Sequence, residues 1–198
     1  MAYYPLFLEL VGRPCLVIGG GQVAFRKVSA LFSCGARVKV VSPELTAALK
    51  QRVRRGKIRW IRRPFRSGDL NGMELAVAAT DDQQVNRQAA REARRRKIWI
   101  NVVDRPELCS FILPSVVRRG KLVLAVSTGG ASPAVAKWIR KDLQARYGAN
   151  FGRLLGPAAA GRKQVHKRIQ SPARRKHLFE KALKAYLREI ASALRASQ

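Results

Sequence analysis

Three consecutive glycines, Gly19 to Gly21, follow a short apolar run and precede a helical pattern. Together with Ala24 they form the spacing Gly-x-Gly-x-x-Ala, which is typical of turns that bind the pyrophosphate of a dinucleotide. Gly19 permits a tight turn out of the strand, and the missing side chain of Gly21 lets a phosphate approach the backbone. The helix N-terminus offers unpaired N–H groups to that phosphate. The motif therefore predicts a dinucleotide site, although a glycine-rich turn without a ligand has the same spacing.

The residue that would contact the ribose of the dinucleotide is not at its usual position. An acidic residue is expected about 20 residues beyond the glycines, but Ser42 stands there and Glu44 follows it. Arg37 and Lys39 would favour a 2′-phosphate if the strand pointed them toward it. The motif alone therefore leaves the choice between NAD and NADP open.

Asp104 is the carboxylate whose position suggests chemistry. It follows the apolar pair Val102-Val103 at the predicted end of a strand, and ligands of open parallel sheets bind beyond the carboxyl ends of the strands. A carboxylate there can accept a proton from a substrate that the cofactor oxidises. Spacing alone favours a plainer interpretation, in which Asp104 forms a turn before Arg105-Pro106.

The first half of the chain alternates between apolar runs and helical patterns. Strands are predicted over residues 16–18, 37–41, 58–61, 75–79 and 98–103, and helices over 22–33, 46–54 and 83–95. Continuous apolar runs are typical of parallel strands that are covered on both faces. The order predicts a Rossmann-like α/β domain with a parallel sheet. The alternation over residues 6–10 additionally suggests an edge strand.

The pattern changes after Asp104. Strands are predicted over 111–113 and 122–127, and a helix runs from Pro133 to about Tyr147, with Ser132 as its N-cap. Further helices, interrupted at Ser171-Pro172, fill the basic tail. We therefore expect a dinucleotide-binding domain over residues 1–113, a small α+β segment over 114–147 and a basic helical region over 148–198.

The formal net charge of +28 indicates a polyanionic partner, an acidic environment, or a surface adapted to high salt or heat. Nucleic acid is the default partner of so basic a chain, but aromatic residues are few and do not interleave with the basic runs. A polycarboxylate ligand or a solvated basic surface fits better. Three cysteines without a Cys-x-x-Cys spacing predict free thiols in a reducing cytoplasm and no metal site. No signal peptide or membrane-spanning run is expected.

Five motifs occur in order, at residues 19–27, 78–82, 101–104, 110–115 and 125–133, and read GGGQVAFRK, AATDD, NVVD, SFILPS and AVSTGGASP. With these motifs, residues 3 to 147 resemble the precorrin-2 dehydrogenase module of siroheme synthase. Phe25 departs from the polar residue expected in the first motif, and the tail after Gly148 has no matching motif. The P-loop, Tyr-x-x-x-Lys and Gly-x-Ser-x-Gly signatures of other enzymes are missing from the sequence.

The resemblance implies NAD-dependent oxidation of precorrin-2 to sirohydrochlorin by a homodimer, on the route to siroheme or cobalamin. It makes Asp104 the catalytic acid or base and residues 114–147 the dimerisation segment. We expect NAD to contact Gly19, Gly20, Gly21, Gln22, Val23, Ala24, Ser42, Pro43, Glu44, Thr80, Asp81, Asp82, Asn101 and Val102. We expect the substrate to contact Phe111, Pro114, Ser127, Thr128, Gly129, Gly130 and Ser132.

Two alternatives stay open at this point. Some members of the family also insert ferrous iron into sirohydrochlorin, and the sequence offers no dedicated iron ligands that would decide the matter. A non-enzymatic protein that senses NAD and binds nucleic acid is less well supported, because the five motifs favour the enzyme.

Overall fold

The computed structural model describes residues 3–149, 151–152 and 165–195 of the chain. Contacts between residues divide the chain into two units, Met1–Leu113 and Pro114–Gln198.

The first unit is built on a five-stranded parallel sheet. Its strands have the spatial order β3-β2-β1-β4-β5. The chain therefore adds β2 and β3 on one side of β1, and then adds β4 and β5 on the other side. The strands are β1 (Pro14–Ile18), β2 (Arg37–Val41), β3 (Arg59–Ile61), β4 (Leu75–Ala78) and β5 (Trp99–Val102). The helices are α1 (Gln22–Ser33), α2 (Ala47–Arg54) and α3 (Gln83–Arg95). The predicted Rossmann-like α/β fold is confirmed.

Helices cover the sheet on both faces, because the side chains of β1 alternate between two apolar cores. Cys15 and Val17 face the core that contains α1 and α2, whereas Leu16 and Ile18 face the core that contains α3. All four side chains are buried to 2% exposure or less. Small residues line the contacting helices, and Ala24 in α1 is fully buried, which lets α1 lie close to the sheet.

Two predicted strands are absent where the sequence placed them. Residues 6–10 are not in a strand, and Leu6 and Phe7 are 50% and 74% exposed. The alternation there is real, but no strand of the described chain pairs with it. Residues 111–113 are also not a strand, because side chains rather than a backbone ladder hold this segment to β5. The Asn101 amide, for example, donates to the carbonyl oxygen of Phe111 at 3.1 Å.

The second unit begins with an antiparallel hairpin of β6 (Ser115–Arg119) and β7 (Leu122–Val126). Gly120, with φ +57°, makes the turn between the two strands. The helix α4 (Pro133–Arg146) contacts both strands of the hairpin, and α5 (Pro172–Arg195) follows in the tail. No helix among the described residues is both long and apolar enough to cross a membrane.

Candidate functional site

The turn between β1 and α1 places the three glycines at the carboxyl end of β1. Gly19 has φ +118°, and a Cβ there would lie 2.3 Å from the carbonyl oxygen of Ala79. A Cβ at Gly20 would lie 1.8 Å from the carbonyl oxygen of Glu44. The protein itself therefore requires glycine at both positions, because real Cβ atoms do not approach backbone atoms so closely.

Gly21 differs from its two neighbours, because no atom lies within 4 Å of the position that its Cβ would occupy. Gly21 is also the N-cap of α1, and no side chain caps this helix. The first N–H groups of the helix, which include those of Gln22 and Val23, have no partner within the helix. Open space beside an uncapped, twelve-residue helix fits the pyrophosphate of a dinucleotide.

The loop after β2 packs against the glycine turn. The N–H of Thr46 donates to the carbonyl oxygen of Gly20 at 3.0 Å, and the Trp60 indole donates to the carbonyl oxygen of Ser42 at 2.9 Å. Ser42 is buried, whereas Pro43 and Glu44 are exposed. The loop after β2 thus forms a wall beside the glycine turn.

Arg37 lies away from that wall. It is the first residue of β2, at the amino end of the strand, and its Nε donates to the carbonyl oxygen of Gly12 at 2.7 Å. Its guanidinium is therefore engaged at the end of the sheet opposite to the glycine turn.

The loop after β4 uses its polar side chains to organise itself and α3. The Asp82 carboxylate caps α3 by accepting hydrogen bonds from the N–H groups of Gln84 and Val85, at 2.8 and 3.1 Å. Thr80 Oγ1 accepts from the Asp82 N–H at 3.2 Å, and Asp81 is exposed. Thr80 and Asp82 therefore stabilise the loop itself, which lies beside the glycine turn.

Asp104 lies beyond the end of β5, at the same end of the sheet as the glycine turn. It is exposed and has φ +58°, a left-handed conformation that Asp tolerates better than most residues. Only β4 lies between β1 and β5, so two strand spacings, roughly 10 Å, separate their axes. Asn101 and Val102, on β5 itself, are buried.

Lys27 is a further charged residue of this region that sequence reasoning did not single out. It is half-buried on α1, and burial lowers its pKa, with a further contribution from Arg26. The carboxylate of Asp104 opposes this effect and raises the pKa of Lys27. The sequence feature that could have pointed to Lys27 is its place at the end of the first motif, GGGQVAFRK.

Phe25, the residue that departs from the family's pattern, has a packing role. Its ring packs against the core under α1, and the guanidinium of Arg52 lies 5.2 Å from the ring centroid. This arrangement is a cation–π contact, and it accounts for an aromatic residue in the first motif.

The predicted substrate residues are divided between the two units. Phe111 is half-buried and packs on the core of the first unit, whereas Pro114 begins the second unit. In the second unit, Ser132 Oγ caps α4 by accepting from the Val135 N–H at 3.2 Å. Thr128 Oγ1 accepts from the Ser132 N–H at 3.1 Å.

The loop before α4 is further shaped by its two glycines, and its exposed residues include Ser127, Gly129 and Gly130. Gly129 and Gly130 have φ +63° and +93°, and the Gly129 N–H donates to Ser127 Oγ at 3.1 Å. No group of three or more His, Cys, Asp or Glu residues that could hold a metal ion occurs in the described part of either unit.

Comparisons with known proteins agree with this geometry. Residues 6–115 match the family described as putative NAD(P)-binding, and residues 119–146 match the family described as sirohaem biosynthesis protein central. The siroheme synthase of Methylobacillus flagellatus is 44% identical over 96% of this chain and 40% of its own length. That of Azotobacter vinelandii is 43% identical over 90% of this chain and 38% of its own length.

A solved structure described as SirC, precorrin-2 dehydrogenase, matches with a TM-score of 0.75 and 28% identity, over 96% of this chain and 100% of that chain. In contrast, the chain spans only about 40% of the length of the siroheme synthases that it matches. The resemblance inferred from the five motifs is confirmed: the chain belongs to the putative NAD(P)-binding family, and residues 119–146 match the sirohaem biosynthesis protein central family.

Proposed function

We propose that this chain is an NAD-dependent dehydrogenase that oxidises precorrin-2 to sirohydrochlorin. One observation carries the proposal: Asp104 lies at the end of the sheet where Gly21 leaves open space. It does so in a fold that matches a protein described as precorrin-2 dehydrogenase over nearly the whole chain.

The residues around the glycine turn fit the cofactor. Gly21 and the uncapped N-terminus of α1 would hold the pyrophosphate. Glu44, in the loop that packs on Gly20, is an exposed carboxylate that would repel a 2′-phosphate, which favours NAD over NADP. NAD, when bound, supplies the hydride acceptor of the oxidation.

Asp104 is the group that we assign to proton transfer. Removal of two hydrogens from precorrin-2 releases one as hydride to the cofactor and one as a proton. The exposed carboxylate of Asp104 accepts that proton and passes it to solvent. Lys27 provides a cation near this carboxylate.

The charge of the chain fits an acidic substrate. Precorrin-2 carries several carboxylates at its rim, and a protein with a formal net charge of +28 attracts such an anion over long range. Gly129, Gly130 and the hydroxyl of Ser127 lie in the exposed loop before α4. We assign this loop to binding substrate carboxylates.

We further propose that the active form is a homodimer that works in the cytoplasm. On α4, Trp138 is 69% and Val135 is 46% exposed, and large apolar side chains so exposed are typical of protein interfaces. Cys15 and Cys109 are free thiols, which fits a reducing compartment. Light scattering tests the dimer: Trp138→Glu should lower the measured mass by half, and an unchanged mass would contradict this role of α4.

The test of the function is an anaerobic assay of NADH formation with precorrin-2 and NAD. Asp104→Asn keeps the backbone preference for positive φ and should lower turnover by about 100-fold or more, as loss of a general base does. The Kd for NAD should stay within about twofold. Glu74→Gln, on an exposed residue at the amino end of β4, is the matched control and should keep full turnover.

Absence of NADH formation by the wild-type protein would refute the proposed function. Full turnover by Asp104→Asn would remove Asp104 from its role. Addition of Co²⁺ to the sirohydrochlorin product, followed by its absorbance spectrum, tests separately whether the chain also inserts a metal.

A further inference from the structure

Two consecutive residues, Cys109 and Ser110, take the place of a neighbouring strand along the outer edge of β5, mainly through their side chains. β5 is the last strand of the sheet, so one edge of its backbone has no strand partner among the residues that the structure describes. Ser110 Oγ accepts from the Ile100 N–H at 2.7 Å and donates to the Ile100 carbonyl at 3.2 Å. The Ser110 backbone N–H donates to the same carbonyl at 2.8 Å. Two residues further along β5, the Cys109 thiol accepts from the Val102 N–H at 3.1 Å and lies 3.3 Å from the Val102 carbonyl oxygen.

The Cys109 thiol makes two contacts that Ser110 does not. It accepts a hydrogen bond from the Asn101 amide at 3.5 Å. Its sulfur also lies 3.3 Å from the carbonyl oxygen of Arg105. Val102 and Arg105 are the residues on either side of Val103-Asp104, so the thiol joins the two ends of the turn that carries the carboxylate. The Arg105 N–H closes the same turn on the Val102 carbonyl at 3.3 Å.

The turn needs such support because of its backbone conformation. Asp104 has φ +58°, and the left-handed region costs an L-residue about 1–2 kcal/mol. Strained conformations of this kind persist only where the surrounding structure holds them. Asp104 itself is exposed, so packing of its own side chain does not hold it.

We infer that Cys109 is a positioning residue for Asp104, because its thiol fixes the turn on which the carboxylate stands. The inference rests on the proposed function, in which Asp104 transfers the proton. The role requires the protonated thiol, since a thiolate could not donate to either carbonyl. Burial raises the pKa of Cys109 and thus keeps the S–H in place, although the Val102 N–H works in the opposite direction.

Ser110 provides a control on the same edge of β5. Its side chain makes the same kind of contacts with the β5 backbone, but at Ile100 and not at the Asp104 turn. If Cys109 merely stabilised the fold, loss of either side chain would lower Tm and leave kcat unchanged. If Cys109 positions Asp104, only its loss should affect the reaction.

The experiment compares Cys109→Ala, Cys109→Val, Cys109→Ser and Ser110→Ala in the full chain, with kcat, KM, NAD affinity and Tm measured for each. We expect Cys109→Ala and Cys109→Val to lower kcat by about ten- to a hundredfold, as misplacement of a catalytic group does, with KM and NAD affinity unchanged. Cys109→Ser, which keeps a donor and an acceptor, should restore most of kcat. Ser110→Ala should lower Tm but leave kcat unchanged.

Equal loss of kcat in Cys109→Ala and Ser110→Ala, or no rescue by Cys109→Ser, would overturn the inference. A direct readout separates this outcome from failure of the proposed function, because it needs no substrate. The carboxyl ¹³C NMR signal of Asp104 should shift in Cys109→Ala and Cys109→Val but not in Ser110→Ala. An unchanged Asp104 signal in all variants would overturn the inference whether or not the wild-type protein oxidises precorrin-2.

Discussion

The carboxylate of Asp104, beyond β5, acts on the ammonium of Lys27 on α1 and raises its pKa. Two larger effects oppose it, because burial and the charge of Arg26 both lower the pKa of Lys27. The pair connects the helix that begins at the glycine turn with the carboxylate proposed to transfer the proton. Loss of the Asp104 charge should therefore change the pKa of Lys27.

The first prediction concerns this pair. Asp104→Asn removes the charge that opposes the effect of burial, so the pKa of Lys27 should fall further below its ordinary value. A ¹³C NMR titration of the lysine side chains measures the change directly. Glu74→Gln, at the opposite end of the sheet, is the control and should leave the Lys27 titration unchanged. A Lys27 pKa that stays constant or rises in Asp104→Asn would show that the two groups do not interact.

The second prediction separates the roles of neighbouring glycines. Gly21→Ala places a methyl group in open space, where it would obstruct a phosphate, so NAD affinity should fall by about tenfold or more with little change in Tm. Gly20→Ala forces a methyl group against the Glu44 carbonyl, so the free energy of unfolding should fall by about 1–3 kcal/mol or more. Calorimetric titration with NAD and thermal melts distinguish the two effects.

Gly68→Ala is the control for this glycine pair, because Gly68 also has open space around its Cβ position but lies in a separate 3-10 turn. It should change neither NAD affinity nor Tm appreciably. Wild-type affinity for NAD in Gly21→Ala would mean that the pyrophosphate does not approach this turn.

The sequence predicted the elements of the first unit well where local signals set their limits. α1 and α3 begin and end at the predicted residues, because Asp82 caps the start of α3 and Gly35, with φ +79°, follows the end of α1. The apolar runs likewise identified all five parallel strands.

Features that depend on distant partners could not be predicted in this way. Residues 6–10 have the alternation of a strand, but alternation does not create a partner strand. Residues 111–113 are held by the Asn101 side chain rather than by a ladder. The Cys109 thiol contacts a separate element, and so does Lys27 in its interaction with Asp104. The sequence pattern of a single element cannot predict such contacts.

The third prediction concerns stability in acid. Asp69 is 6% exposed, and its carboxylate accepts two hydrogen bonds from Arg63, at 2.6 and 2.9 Å, and one from the Arg66 N–H at 2.8 Å. Burial alone would raise the pKa of Asp69, but these bonds outweigh it and hold the pKa below its ordinary value. The carboxylate therefore stabilises the fold above its unfolded pKa, and this contribution is lost as pH falls through the folded pKa.

Asp69→Asn should accordingly lower the free energy of unfolding by about 1–3 kcal/mol at neutral pH, and its deficit relative to the wild type should shrink below about pH 4. Denaturant unfolding over this range gives both curves. Glu74→Gln removes an exposed ion pair and should show no comparable deficit. A deficit of Asp69→Asn that is independent of pH would contradict the assignment.

The fourth prediction concerns stability in base, where the buried thiol of Cys15 titrates. Cys15 on β1 is fully buried, and burial, with smaller contributions from Glu74 and Cys34, raises its pKa from 9.0 to about 11. Between these values the unfolded chain releases a proton that the folded protein keeps. Folding stability should therefore fall as pH rises through this range, by up to about 1.4 kcal/mol per pH unit.

Cys15→Ala has no thiol to titrate, so this part of the decline should disappear from its unfolding curve. The variant should be less stable than the wild type near pH 8, because the smaller side chain leaves a cavity, and the difference should narrow toward pH 11. Denaturant unfolding at closely spaced pH values measures this convergence, and titration of other side chains cancels in the comparison. Parallel curves for the two proteins would mean that the thiol of Cys15 ionises as readily in the fold as in the unfolded chain.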